Sequence, residues 1–146
     1  MAAVRRAEVV WEGDLAKGSG RVSTKSSGVL KDQAVTWVAR TEAPGGKTSP
    51  EELLAAAHAS CFAMALSFGL GQAGKPPQKL EVSAEVTFDK VGEGFSVKSS
   101  ALEVRGQVPG LDAAGFQKAA EGAKENCPIS RALKGNVQLS VKATLA

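Results

Sequence analysis

One stretch, from position 48 to position 70, constrains the fold of this 146-residue chain more than any other feature. Ser49 can cap a helix, Pro50 suits its first position, and Glu51 and Glu52 suit the positive end of its dipole. Ser49 followed by Glu52 also fits a capping box. Alanine and leucine, which favour helix, make up much of the rest, until glycines and prolines end the pattern. The sequence therefore predicts a long, mostly buried central helix, with an apolar stripe formed by Leu54, Ala57, Cys61, Met64, Ala65 and Phe68.

Composition narrows the possible classes of function. We expect one domain over residues 1–146, because this length can bury a core of its own. The net charge of +3, without a cluster of lysine and arginine, argues against nucleic-acid binding. We expect no signal peptide, and the long helix is too polar at its start and too rich in alanine for a membrane span. The expected location is cytoplasmic, where a permanent disulfide between the two cysteines is not expected.

Alternation of polar and apolar residues predicts strands in the remaining chain. The predicted strands cover residues 4–12, 21–24, 34–40, 79–89, 95–105 and 137–143. The first two should form a hairpin. Residues 92–94 should turn a second one, whose return strand should have a β-bulge near Ser99 and Ser100. Asp112 should cap a second helix that ends near Asn126, and Pro128 should open a short third helix. The order indicates an α+β domain with antiparallel strands.

The chain lacks most residues that carry known chemistry. It has one histidine and no tyrosine, and it contains no phosphate-binding loop and no Gly-x-Ser-x-Gly motif. Two cysteines and one histidine make a poor zinc set, so we expect no metal and no cofactor. Of the kinds of chemistry considered, only that of the two cysteine thiols remains.

Each candidate for that chemistry also has a purely structural interpretation. Cys61 could fill space on a buried helix, whereas Cys127, just before Pro128, could be the more acidic thiol because a helix begins there. His58, three residues before Cys61, fits a hydrogen-bonded helix histidine better than a Cys–His pair. Arg40 together with a glutamate could be a fixed cation beside a thiolate, or a surface salt bridge.

Several of these segments resemble a known family. Residues 49–62 and 126–130 resemble the cysteine-containing segments of the osmotically inducible protein / organic hydroperoxide reductase (OsmC/Ohr) family. The motifs at 11–14, 18–24 and 28–30 are similar to its OsmC branch in particular. The resemblance covers almost the whole chain. It implies the OsmC-like fold, with antiparallel sheets around the long helix, and an intertwined homodimer with two active sites at the subunit interface.

The resemblance also implies an activity and the residues that perform it. The chain would be a thiol peroxidase of oxidative or osmotic stress defence that reduces organic hydroperoxides to alcohols. Cys61 would attack the peroxide and form a sulfenic acid, Cys127 would close a disulfide with it, and an external dithiol would reduce that disulfide. Arg40 would stabilise the thiolate, held by Glu51 or, with a poorer match, by Glu52. This reverses the local argument that made Cys127 the more acidic thiol.

Two further expectations follow. Apolar surroundings of Cys61 would favour bulky organic peroxides over hydrogen peroxide, and the residues expected to supply them are Leu54, Phe62, Met64 and Phe68. Two alternatives remain open at this point: a redox sensor or binding protein that uses the same cysteine pair without turnover, and a structural stress protein in which the cysteines are filler.

Overall fold

The computed structural model describes all 146 residues and consists of two compact units, residues 1–53 and 54–146. The elements in chain order are β1 (Ala7–Glu12), β2 (Ser19–Thr24), β3 (Gln33–Val35), α1 (Trp37–Thr41), α2 (Pro50–Gln72), β4 (Lys79–Val91), β5 (Gly94–Gln107), α3 (Ala113–Asn126), α4 (Pro128–Leu133) and β6 (Gln138–Leu145). The α+β class predicted from the sequence is confirmed, whereas the single domain over 1–146 stays a prediction.

The first unit contains a three-stranded antiparallel sheet in the order β1-β2-β3, which confirms the predicted first hairpin. The strand predicted over 34–40 is wrong beyond Val35. There the hydroxyl of Thr36 accepts a hydrogen bond from the backbone N–H of Ala39 at 3.1 Å and caps the short helix α1. Arg40, expected at the end of a strand, therefore lies in the last turn of α1.

Helix α2 begins as predicted but uses only half of the capping box. The hydroxyl of Ser49 accepts a hydrogen bond from the backbone N–H of Glu52 at 3.1 Å. The carboxylate of Glu52 accepts from the hydroxyl of Thr48 at 2.8 Å. The helix continues to Gln72 and is followed by Gly74, whose φ of +71° suits glycine after a helix end.

The second unit contains a sheet in the order β4-β5-β6. The predicted hairpin of β4 and β5 is confirmed, and the register shifts between Thr87 and Phe88, opposite residues 97–99, close to the predicted bulge. The prediction of antiparallel strands throughout is wrong, because β6 pairs parallel to β5. The connection from β5 to β6 carries α3 and α4, and a crossover of that length allows parallel pairing.

The core of the second unit lies where α2 and α3 pack with β5. Its buried apolar residues are Phe62, Leu66, Leu70, Leu102, Val104, Val108, Phe116, Ala120, Ala123 and Cys127. The buried face of α2 thus repeats every fourth residue from His58, one position away from the predicted stripe. Met64 and Phe68, which were expected on that stripe, are 68% and 69% exposed. Because α2 is apolar on almost every side, periodicity could not identify the face that is buried.

The apolar character of α2 also corrects the argument against a membrane span. In length and hydropathy the helix is sufficient to cross a membrane, a criterion that core helices of water-soluble proteins also meet. Within this chain, 22% of the most apolar 18-residue stretch of α2 is buried, so the prediction of a mostly buried helix is wrong for the single chain.

Two glycines test the packing of the second unit. A Cβ atom at Gly106 would overlap the ring of buried Phe116, whereas one at Gly122, on the exposed face of α3, would meet nothing. We expect Gly106→Ala to lower the free energy of unfolding by about 1 to 3 kcal/mol through overpacking. Gly122→Ala should raise it by about 0.5 to 1 kcal/mol, because alanine favours helix. Chemical denaturation checks both, and equal effects of the two variants would contradict the described packing.

Candidate active site

The two cysteines come together in the second unit. Cys61 lies in the middle of α2 and is partly buried, while Cys127 is fully buried, with 0% exposure. Both are free thiols, and they lie close enough for Cys127 to raise the pKa of the Cys61 thiol. The chain therefore places one sulfur within reach of solvent and a second sulfur beside it that solvent does not reach.

The backbone holds Cys127 between two helices. Its N–H donates to the carbonyl of Ala123 at the end of α3, at 2.8 Å, and its carbonyl accepts from the N–H of Arg131 in α4, at 3.0 Å. Pro128 occupies the first turn of α4, as predicted from the sequence. The position of Cys127 is thus fixed by two capping interactions and not by a flexible loop.

Burial and hydrogen bonding act in opposite directions on Cys61. Burial raises the pKa of this thiol above its ordinary value, and the hydrogen bond with Cys127 raises it further. The backbone N–H of Ile129, in the first turn of α4, donates a hydrogen bond that lowers the pKa of Cys61. Sequence reasoning assigned the start of this helix to Cys127 alone, but one of its N–H groups serves Cys61.

His58 is fully buried and does not pair with a cysteine. Its Nδ1 lies 2.6 Å from the hydroxyl of Ser100 on β5, and its Nε2 lies 2.8 Å from the hydroxyl of Ser130 on α4. Burial lowers the pKa of His58, which keeps the ring neutral. The expectation of a hydrogen-bonded helix histidine is confirmed. Sequence reasoning missed both serines, because they are 42 and 72 residues away along the chain and carry no motif.

In the first unit, Arg40 and Glu51 form a well-defined ion pair. The Nε of Arg40 donates to both carboxylate oxygens of Glu51 at 3.1 Å, and its Nη2 donates to Oε1 at 2.8 Å. The Glu51 side chain is 9% exposed, and the guanidinium also lies 5.9 Å from the centre of the Trp37 ring. Glu51, not Glu52, therefore holds Arg40, and a forked, largely desolvated pair of this kind fixes the direction of the guanidinium.

Arg40 also contributes to an apolar pocket of about 360 Å³ within the first unit. Its other lining residues are mostly apolar and come from β1, the turn after it, β2, β3, α1 and the start of α2: Val9, Trp11, Leu15, Val22, Val35, Thr36, Trp37, Pro50 and Leu53. Of the residues expected to surround Cys61, Phe62 instead belongs to the core, and Met64 and Phe68 are exposed. No group of three or more His, Cys, Asp and Glu side chains is arranged to hold a metal ion.

Comparison with known proteins gives consistent results. A family model described as OsmC-like protein matches residues 43–142. The chain is 44% identical to peroxiredoxin OsmC of Escherichia coli over 135 residues, 92% of this chain and 93% of that protein. It is 33% identical to the organic hydroperoxide resistance protein of Xanthomonas axonopodis pv. citri over 100 residues, 68% of each chain. The crystal structure of OhrB, an organic hydroperoxide resistance protein of Bacillus subtilis, superposes with a TM-score of 0.75 at 28% identity, over 95% of this chain and 98% of that one.

The difference in burial predicts selective alkylation. Brief treatment of the native reduced protein with iodoacetamide should label Cys61 and leave Cys127 unlabelled, because only Cys61 is partly exposed. Peptide mass mapping measures the label at each site, and the same treatment in denaturant should label both. Faster labelling of Cys127 in the native protein would contradict the described site.

Proposed function

Because this chain belongs to the family of OsmC-like proteins, we propose that it is a thiol-dependent peroxidase that reduces organic hydroperoxides to alcohols. The observation that carries the proposal is the pair of neighbouring free thiols, one partly exposed and one buried. The relatives named peroxiredoxin and organic hydroperoxide resistance protein support the same activity and a role in stress defence.

In the first step, Cys61 is the attacking group because it is the sulfur that a peroxide can reach. Its thiolate attacks one oxygen of the O–O bond, and that bond breaks. Cys61 becomes a sulfenic acid, and the leaving alkoxide takes up a proton to give the alcohol. Two electrons pass from sulfur to the peroxide, so no metal or organic cofactor is required.

In the second step, the thiol of Cys127 attacks the sulfenic sulfur of Cys61. The S–O bond breaks, an S–S bond forms, and the hydroxyl leaves as water. Cys127 lies near enough to Cys61 to raise the pKa of that thiol, so it is already close to the sulfur that it attacks. An external dithiol then restores both thiols by exchange and is itself oxidised to a disulfide.

We assign to Arg40 the stabilisation of the Cys61 thiolate and of the developing alkoxide, and to Glu51 the orientation of Arg40. Burial raises the pKa of Cys61, so a reactive thiolate needs a positive charge to oppose that effect. The ion pair with Glu51 gives Arg40 the fixed direction that such a role requires.

The proposal includes an intertwined homodimer with an active site in each half. Exposed Met64 and Phe68 and the low buried fraction of α2 support it, because a helix this apolar is stable in water when another surface covers it. The cytoplasmic location inferred from the sequence stays a prediction.

Turnover separates the peroxidase from a redox sensor that uses the same cysteines. With cumene hydroperoxide and excess dihydrolipoamide as the dithiol, we expect repeated turnover by the wild type and none by Cys61→Ser. In a separate reaction without the dithiol, Cys127→Ser should reduce one equivalent of peroxide rapidly and should accumulate the sulfenic acid, because the resolving thiol is missing.

Hydrogen peroxide in place of cumene hydroperoxide tests the preference for organic substrates. We expect slower turnover with hydrogen peroxide, and equal rates would contradict the preference.

A single oxidation of the wild type without turnover would favour the redox sensor over the peroxidase. Unchanged activity of Cys61→Ser would contradict the assignment of the attacking thiol.

Replacements of Arg40 and Glu51 test the cationic group. Arg40→Met should lower kcat/KM for cumene hydroperoxide by about 100-fold or more. It should also shift the rise of the rate to higher pH, because burial and Cys127, which both raise the pKa of Cys61, are then opposed only by the N–H of Ile129. Glu51→Gln should lower the rate less, and the matched control Glu52→Gln should leave it unchanged, since Glu52 bonds to Thr48. Equal effects of Glu51→Gln and Glu52→Gln would refute the role of the ion pair.

A further inference from the structure

The single histidine of the chain has no task in the reaction proposed above. It is fully buried, and its two ring nitrogens are hydrogen-bonded to serines from two other elements. His58 thereby connects α2 to β5 through Ser100 and to the start of α4 through Ser130. A buried polar side chain that joins three elements restricts how those elements can move against one another.

The bond to Ser130 lies beside the reacting sulfurs. His58 precedes Cys61 by three residues, about one turn of α2, and Ser130 follows Cys127 by three residues. Ile129, between Pro128 and Ser130, donates its backbone N–H to Cys61. Residues 127–130 therefore act on α2 at two positions. The Ser130 hydroxyl lies 2.8 Å from Nε2 of His58, and Cys127 and the Ile129 N–H both shift the pKa of Cys61.

We propose that His58 is a positioning residue for disulfide formation: through Ser130 it holds the start of α4 so that the thiol of Cys127 faces the oxidised Cys61. This inference rests on the peroxidase function proposed above. It concerns only the second step, in which the sulfenic acid of Cys61 and the thiol of Cys127 give a disulfide and water.

The second step needs such an anchor because it changes every contact at Cys61. The sulfur gains an oxygen, so the hydrogen bonds from Cys127 and Ile129 must rearrange. The two sulfurs must then approach to about 2.05 Å, the length of a disulfide bond. The bond from His58 to Ser130 involves neither sulfur and can persist throughout. An error of about 1 Å in placing reacting groups can cost a factor of about 100 in rate.

Imidazole chemistry suits this task. A neutral ring has one N–H donor and one acceptor nitrogen, and a serine hydroxyl can either donate or accept. Both bonds of His58 are therefore satisfied in either tautomer. The depressed pKa of His58 keeps the ring neutral, so it holds two serines without placing a charge in the core.

Competition between dimedone and Cys127 measures the step. Dimedone traps the sulfenic acid of Cys61, whereas Cys127 converts it into the disulfide. Reduced protein receives one equivalent of cumene hydroperoxide in the presence of dimedone, and mass mapping gives the ratio of adduct to linked peptide. Cys127→Ser supplies the reference for complete trapping, and the consumption of peroxide in the same reaction reports the first step.

Two serine variants separate positioning from stability. We expect Ser130→Ala to raise the ratio of adduct to disulfide about tenfold, with the one equivalent of peroxide still consumed completely. Ser100→Ala leaves one nitrogen of the same ring unpaired but keeps the bond to Ser130. Ser100→Ala should keep the ratio of adduct to disulfide within about twofold of the wild type, even if it lowers thermal stability as much as Ser130→Ala does. Ser130→Thr, which retains the hydroxyl, should restore the wild-type ratio.

Two amide variants of His58 provide an independent pair. The terminal amide of glutamine reaches about as far as Nε2 of histidine, the nitrogen that bonds to Ser130. The terminal amide of asparagine reaches about as far as Nδ1, the nitrogen that bonds to Ser100. His58→Gln should therefore keep the ratio near that of the wild type, and His58→Asn should raise it. Thermal unfolding of each variant shows whether it is folded, and either pair decides the matter if the other fails to fold.

Two results would overturn the inference while leaving the peroxidase intact. One is an unchanged ratio in both Ser130→Ala and His58→Asn. The other is an equal rise in Ser130→Ala and Ser100→Ala, which would show a general loosening of the core. If the wild type yields neither adduct nor disulfide, the proposed function itself fails, and the inference fails with it.

Discussion

The contact between the middle of α2 and the start of α4 is the interaction on which the described site depends. Helix α2 uses one face for the core, through Phe62, Leu66 and Leu70, and that packing fixes the orientation of Cys61 on the neighbouring face. Two caps fix Cys127 between α3 and α4. Neither cysteine therefore has much freedom, and the packing of whole helices places both thiols at the same hydrophobic cluster.

The same packing creates a conflict at Cys61. Burial shields Cys127 from water, but the partial burial of Cys61 raises its pKa, which disfavours the reactive thiolate. Within the second unit, the N–H of Ile129 opposes this effect with one hydrogen bond. A single amide cannot supply the charge that full activation requires. Arg40, oriented by Glu51, is the cation that we propose for that purpose.

Local chemistry explains which parts of the structure could be predicted. In the sequence, three residues predict where helices begin: Ser49, Asp112 and Pro128. The structure has helices that begin at these positions. Helix α1 was missed because residues that alternate over one short stretch also fit a single helical turn once Thr36 caps it. The parallel pairing of β6 was missed because it depends on the route through α3 and α4.

In the candidate site, too, some residues could be predicted from the sequence and others could not. The resemblance to a family indicated Cys61, Cys127, Arg40 and Glu51, and the structure pairs the first two and the last two. The resemblance could not indicate Ser100 and Ser130, since serines are common and these two approach His58 only through folding.

The most direct test of the account is the state of the two thiols after one equivalent of an organic hydroperoxide. Intact mass, thiol counting and peptide mapping should show the loss of two hydrogens, the loss of both free thiols, and a Cys61–Cys127 linked peptide within a single chain. Two thiols that remain unreacted, or a link between two chains, would contradict a peroxidase whose attacking and resolving cysteines share one site.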